Sequence, residues 1–358
     1  LSEFLINKTL TSHMILKLND INYTGVSGKV PDFKTTINLK LLEKGDIDGD
    51  FKLEFRERNV ISSQFFIGQK TKKLKDLKVE VFPKDILSIN PIKNKNLSFN
   101  DSKLSLLGDI NISKNNKINP MLKVMLTPGV VFNHEGESIS STLVGSYRGK
   151  RLDLRSTNKF LKGSIVSNFN AMIDPNMKTF NILKMPPYLI NVKVSDIQLS
   201  KAFLQKTLYP ESKLAKSISK TPVTKAVSKN KEKRKSVSSV LLPKGKINLT
   251  IENVKVGEEI LSAKGKFQTN KKSFKTDKLK FKFSNGVGEI TNYTEFRKGG
   301  ISSNLNMSIK DLNLHGFKAL LPSKLLSDIS GSFTGEVSGK IDVVGEKLKH
   351  DIKTKVVA

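Results

Sequence analysis

The strongest signal along this chain is an alternation of apolar and polar residues with period two. It runs through "INLKL" (37–41), "FKLEF" (51–55), "LKVEVF" (77–82), "INLTI" (247–251) and "LKFKF" (279–283). Successive strand side chains point to opposite faces, so each segment predicts a strand with one apolar and one wet face. The intervening stretches "EKGDIDGD", "NKNLSFNDSK", "SNGVGE" and "FRKGG" are dense in turn formers. Together they predict an antiparallel sheet, strand after strand, with one face apolar throughout. Helical spacing occurs in two places only, "SKAFLQKTL" from Ser200 and "GFKALLPSKLLSDI" from Gly316, and Pro322 splits or starts the second.

A ten-residue pattern recurs within this alternation. "INVKVSDIQL" (190–199) returns as "LNMSIKDLNL" (305–314), and "INLTIENVKV" (247–256) lies between them with Asn253 in the aspartate position. A fainter copy, "MILKLNDINY" (14–23), keeps Asp20 in register. The near-constant spacing of the three clear copies predicts a repeated structural unit. In each, the apolar phase slips by one residue at the acidic or amide position: Ile190, Val192 and Val194 share one face, whereas Ile197 and Leu199 fall in the opposite phase. A bulge or tight bend there keeps both halves on the apolar side. Asp20, Asp196, Asn253 and Asp311 are therefore read as structural bends, whose short side chains bond nearby backbone N–H groups.

Composition modifies this picture in three ways. The net charge of +29 invites a nucleic-acid reading, but only seven of the 62 basic side chains are arginine. Arginine is the preferred reader of phosphates and bases, so the lysines are assigned to a solubilising coat and no nucleic-acid partner is expected. From Glu211 to Pro243 the strand pattern stops, and nine basic residues face two glutamates among Ser, Thr and Ala. Such a segment reads as a flexible linker or insertion. The chain thus divides into a β-rich repeat region (1–210), a basic linker (211–245) and a second β-rich repeat region (246–358). Cysteine is absent, which removes disulfides and thiol chemistry, and no apolar run reaches the ~18 residues of a membrane span.

No catalytic constellation is visible. His13, His134, His315 and His350 lack ligand spacing, and "FNHEGE" around His134 reads as a solvated turn. There is no GxSxG, HExxH or phosphate-cradling loop. We expect no enzyme activity, cofactor or metal.

The run "SSNLNMSIKDLNLHGFKALLPSKLLSDISGSFTGEVSGKIDVVG" (302–345) resembles the AsmA family of Gram-negative bacteria. It has that family's order of alternating strand, "KDLNL", short "FKALL" helix and Gly-punctuated strand. "INVKVSDIQLSKAFLQKTL" and "LPKGKINLTIENVKV" fit the same layout, and the resemblance extends over about residues 185–358. It implies an elongated, curved antiparallel β-sheet with an apolar groove and a few short helices, periplasmic and anchored in the inner membrane. It further implies a role in outer-membrane biogenesis, carrying phospholipid. The chain starts at Leu1 and lacks the family's N-terminal anchor, so the targeting segment is expected upstream.

The residues lead independently to one shared point. Many strands carry an apolar face, yet few helices exist to cover it, so sheet curling, a second sheet or a ligand must do so. On the lipid hypothesis the groove lining includes Ile190, Val192, Val194, Ile247, Leu249, Ile251, Leu305, Met307 and Ile309, with Leu16 and Leu18 from the faint copy. The rival expectations are a structural or adhesive β protein with a closed core, and a lysine-rich polyanion binder.

Overall fold

The computed structural model describes residues 10–18, 33–42, 44–55, 57–82, 97–98, 102–134, 137–177, 181, 186–200, 203, 241–297, 300–314, 331–344 and 347–357. Among the described residues the molecule is mainly β and almost without helix, an open sheet in which most consecutive strands pair antiparallel. Two compact units emerge: one holds the described residues of 1–158 and 168–180, the other those of 159–167 and 181–358.

The first unit is a meander through β1 (Leu10–Leu18), β2 (Phe33–Leu41), β3 (Ile47–Phe55), β4 (Arg58–Ile67) and β5 (Thr71–Val81). It continues through β7 (Lys103–Ser113), β8 (Ile118–His134), β9 (Glu137–Arg148) and most of β10 (Arg151–Phe160). Leu97–Ser98, part of a stretch expected to be turn, instead forms the short strand β6, which pairs with Phe132 and Val131 of β8. Directly opposed residues share a face, and the register places Leu16, Thr35, Leu53, Ile61, Val79, Leu106, Val124 and Gly145 in one row. Leu18 stands opposite Phe33 in the same ladder. The alternation of the sequence thus becomes one apolar face.

The two units meet in sequence at β10 and β11 (Gly163–Met172). The second contains β12 (Tyr188–Ser195), β13 (Gln198–Leu199), β14 (Leu242–Val256), β15 (Glu259–Lys271) and β16 (Ser273–Phe283). β17 (Gly286–Arg297), β18 (Gly300–Asn313), β19 (Ser332–Val344) and β20 (Lys347–Val357) complete it. From β14 to β20 every pairing is antiparallel and sequential. Two pairings depart from the expected pattern: β12 runs parallel to β14, Ile190 opposite Ile247 and Ser195 opposite Glu252, and β13 continues the same parallel pairing with Leu199 opposite Val256. These are two copies of the decapeptide lying side by side in repeat register. Period-two alternation is blind to strand direction, so it could not announce this.

Of the two helical stretches only Ser200 and Phe203, the latter helical, lie among the described residues. The stretch 316–329 and the basic segment up to residue 240 lie outside them, and β14 begins at Leu242, just inside the expected linker. A compact apolar cluster in the second unit comprises Leu161, Ile197, Val254, Val256, Phe283 and Leu312. It sits just past the bends, where the second half of each decapeptide turns its aliphatics inward.

Candidate functional site

The bends are built from left-handed residues. Asp196, Asn253 and Asp311 have φ of 58°, 53° and 55°, a region that Asn and Asp tolerate better than other side chains with a Cβ. The ladder shifts register between Ile251 and Val254, and again between Ile309 and Leu312. Each shift returns the following aliphatics to the face they would otherwise leave. The side chains find other partners than the local backbone expected from sequence. Asp196 Oδ1 accepts from Asn253 Nδ2 at 3.4 Å, and Asp311 Oδ1 accepts from the Thr334 hydroxyl at 3.4 Å. Thr334 Oγ1 in turn accepts the Asp311 N–H at 3.0 Å. The bonds therefore tie neighbouring strands together at the bend. Two bends also back onto glycine: a Cβ at Gly286 would strike the Leu312 backbone, and one at Gly163 the backbone of Ser195–Ile197. Asp20 lies outside the described residues.

A further left-handed residue, Asp76 (φ 51°), sits at a comparable shift between Leu74 and Leu77 of β5. Its N–H donates to Asp109 Oδ1 at 3.0 Å. The same one-residue phase slip is present in "LKDL" and was the available signal.

The nine lining candidates from the three clear copies fall on one face of the second unit. Val194, Ile251, Ala263, Phe281, Gly288, Ile309, Gly335 and Val356 form a row across eight strands. Val192, Leu249, Leu279, Ile290, Met307 and Val337 stand in the next row, and Ile190, Ile247, Phe267 and Leu305 in the one after. None of the nine candidates is fully buried by protein. Large side chains alternate with small ones in the first row, and the Phe281 ring occupies the space over Gly288. The sheet curves around this row: a cavity of about 790 Å³ draws lining residues from β14, β15, β16, β17, β18, β19 and β20. They include Ile251, Ala263, Phe281, Gly288, Ile309 and Gly335 together with charged residues at the flanking positions such as Lys264, Lys280 and Glu289. Of the row residues, Ala263, Phe281, Gly288 and Gly335 were not among those singled out from sequence. Leu16 and Leu18 belong to the first unit, so their backbone places them in a different apolar row.

The charges lie on the other face. Lys264, Lys280 and Glu289 are direct cross-strand neighbours there, and Lys278 and Lys193 pair with Glu289 and Glu252 at 2.8 Å each. Hydrogen bonding to Glu252 holds the Lys193 ammonium above its ordinary range. Such exposed pairs contribute little stability; they keep the outer face wet.

A second cavity, about 940 Å³, lies in the first unit among polar groups that include Asn38, Asp50, Gln64 and Asp76. Asn38 Nδ2 donates to both Asp50 oxygens at 3.0 and 3.1 Å. Among the described residues no group of three metal-ligating side chains converges, and no helix is long and apolar enough to cross a membrane, which says nothing of β-barrel spans. His13, His134 and His350 lie on β1, β8 and β20, and His315 lies outside the described residues.

No known protein family, curated protein or solved structure matches the chain.

Proposed function

We propose that this chain is a non-enzymatic, AsmA-like groove protein that shields phospholipid acyl chains from water during passage between the inner and outer membranes. The observation that carries the reading is the uncharged inner face of the second unit. Its three rows, mostly apolar with Thr276 and Asn292 in the third, contain no Asp, Glu, Lys or Arg across eight strands, and they curve around a cavity of about 790 Å³. Sheet faces left this apolar and only half-buried need a cover. An acyl chain is a fitting one: at about 0.8 kcal/mol per CH₂, a ~16-carbon chain gains on the order of 12 kcal/mol over water. Similar aliphatics on successive strands make neighbouring positions nearly equal in energy, so a chain can move between strands without crossing water. The resemblance of residues 185–358 to the AsmA family supports the same reading, and with it a periplasmic location, an inner-membrane tether and outer-membrane components as partners.

The test is mass spectrometry of lipid extracted from protein purified without detergent, for the parent chain and for Val192→Asp and Ile309→Asp. Stoichiometric phospholipid, lost in both variants while circular dichroism stays β-rich, is the expected result. A stable, lipid-free parent protein would favour a structural or adhesive protein whose apolar faces only pack together.

A further inference from the structure

Resting on the reading of the second unit as an acyl-lipid site, we infer that its inner face also holds a headgroup rail. This is a band of uncharged hydrogen-bonding side chains that fixes which way a lipid lies. The inner face is not uniformly apolar along the strand direction. At the end with the bends it is closed by Val254, Phe283 and Leu312. Towards the other end, Thr276 and Asn292 enter the row of Ile190, Ile247, Phe267 and Leu305, and the next row holds Tyr188, Thr269, Thr294 and Ser303 together with Phe274 and Ile341. Thr269 and Thr276 are buried within the protein, so the groups a ligand can reach are Tyr188, Asn292, Thr294 and Ser303 on three strands.

The groups are linked to one another. Asn292 Nδ2 donates to Thr294 Oγ1 at 3.0 Å, Ser303 Oγ donates to Asn292 Oδ1 at 2.9 Å, and the Thr294 and Ser303 hydroxyls lie 3.0 Å apart. Tyr188 Oη and Thr269 Oγ1 are 2.9 Å apart, and Thr269 also donates to the Pro243 carbonyl at 2.6 Å. A carboxamide has two N–H groups, so Asn292 keeps one for a ligand among the described residues. The hydroxyl protons are engaged within the network, so the remaining Asn292 N–H is its donor for an oxygen shared by all phospholipids, ester or phosphate.

The spacing fits the same ligand. On β17, Asn292 and the bend-end residue Gly286 are six positions apart, about 20 Å at ~3.3 Å per residue. One leaflet of a bilayer's hydrocarbon core, half of ~30 Å, is about 15 Å deep. An acyl chain laid along the strands from Asn292 therefore ends among Phe281, Gly288 and Ile309, short of the closed end. Headgroups follow the rail at one side while tails occupy the trough.

The experiment uses the full chain and two forms of phosphatidylethanolamine, with a diazirine either on the headgroup or at the acyl terminus, followed by peptide mapping of the crosslinks. The headgroup probe should label residues 292–303 about fivefold over residues 281–288, the bias one net hydrogen bond supplies. The acyl-terminal probe should show the reverse. In the triple variant Asn292→Val, Thr294→Val, Ser303→Ala the headgroup bias should vanish while acyl-terminal labelling near Phe281 persists. Equal or reversed labelling by the two probes in the parent chain overturns the rail but leaves the lipid site standing. Absence of labelling by both overturns the lipid reading itself, and the rail with it.

Discussion

The side-chain amide of Asn248 donates to Oδ1 of Asn191 across 2.8 Å, joining equivalent positions of two decapeptide copies on the parallel strands β12 and β14. Parallel in-register pairing of like segments stacks like side chains, and an asparagine stacked on an asparagine can satisfy donor and acceptor together. The pair therefore selects the register in which Val192 meets Leu249 and Val194 meets Ile251. Asn248→Ala and Asn191→Ala should each cost about 1 kcal/mol, and the double variant little more than either, because both remove the same net hydrogen bond. A urea-unfolding double-mutant cycle measures this, and strictly additive losses would deny the coupling.

The bends make a separate prediction. Asn253 and Asp311 hold φ near +55°, where a β-branched residue is strained by about 1–2 kcal/mol and glycine is not. Asn253→Val should lose that much stability, whereas Asn253→Gly should stay within about 1 kcal/mol of the parent. If valine and glycine behave alike in denaturant unfolding, conformation is not what the position demands.

Gly288 and Phe281 should behave as one unit. A side chain at Gly288 must displace the Phe281 ring, so Gly288→Val should destabilise by about 1–3 kcal/mol through overpacking. Adding Phe281→Ala frees the space, and the double variant should be less destabilised than the sum of the two single changes. Retained lipid, quantified on the same samples, should fall in Gly288→Val as the displaced ring enters the trough.

Acid should weaken the first unit through Glu80. Its side chain is 11% exposed and receives Lys103 at 2.8 Å and Lys78 at 3.2 Å. Burial alone would raise its pKa, but hydrogen bonds and attraction from the two lysines override this and hold it below the ordinary carboxylate range. A carboxyl with a depressed folded pKa stabilises the fold above its unfolded value, ~4.3, and that contribution is lost as pH falls through the folded value. Glu80→Gln should cost about 1 kcal/mol at pH 7. The gap between parent and variant should close in urea titrations below about pH 4.

Much of this was legible in the letters, for a definite reason. Alternation reports which face a side chain takes, so Ile190, Leu249 and Met307 could be assigned to one surface, and the phase slip at Asp311 marked where the strand must bend. Alternation says nothing of direction, so the parallel β12–β14 pair was invisible. Nor does it register small residues: Ala263, Gly288 and Gly335 sit in the middle of the apolar row without carrying a hydrophobic signature. Asn292, Thr294 and Ser303 spell polar and so read as solvent-facing, although the register turns them to the inner face. Only cross-strand neighbours could reveal that.

The parallel pair has a further consequence, for the order of assembly. From β14 to β20 the closely spaced hairpins make contacts local in sequence, which form quickly. β12 instead meets a partner 57 positions further on, and closing so long a loop costs more entropy before any contact rewards it. The β14–β20 meander should therefore form first and offer the free edge of β14 as a template on which β12 zips last. Isolated loss of amide-exchange protection at residues 188–195, while residues 260–310 remain protected, would be the trace of that late addition.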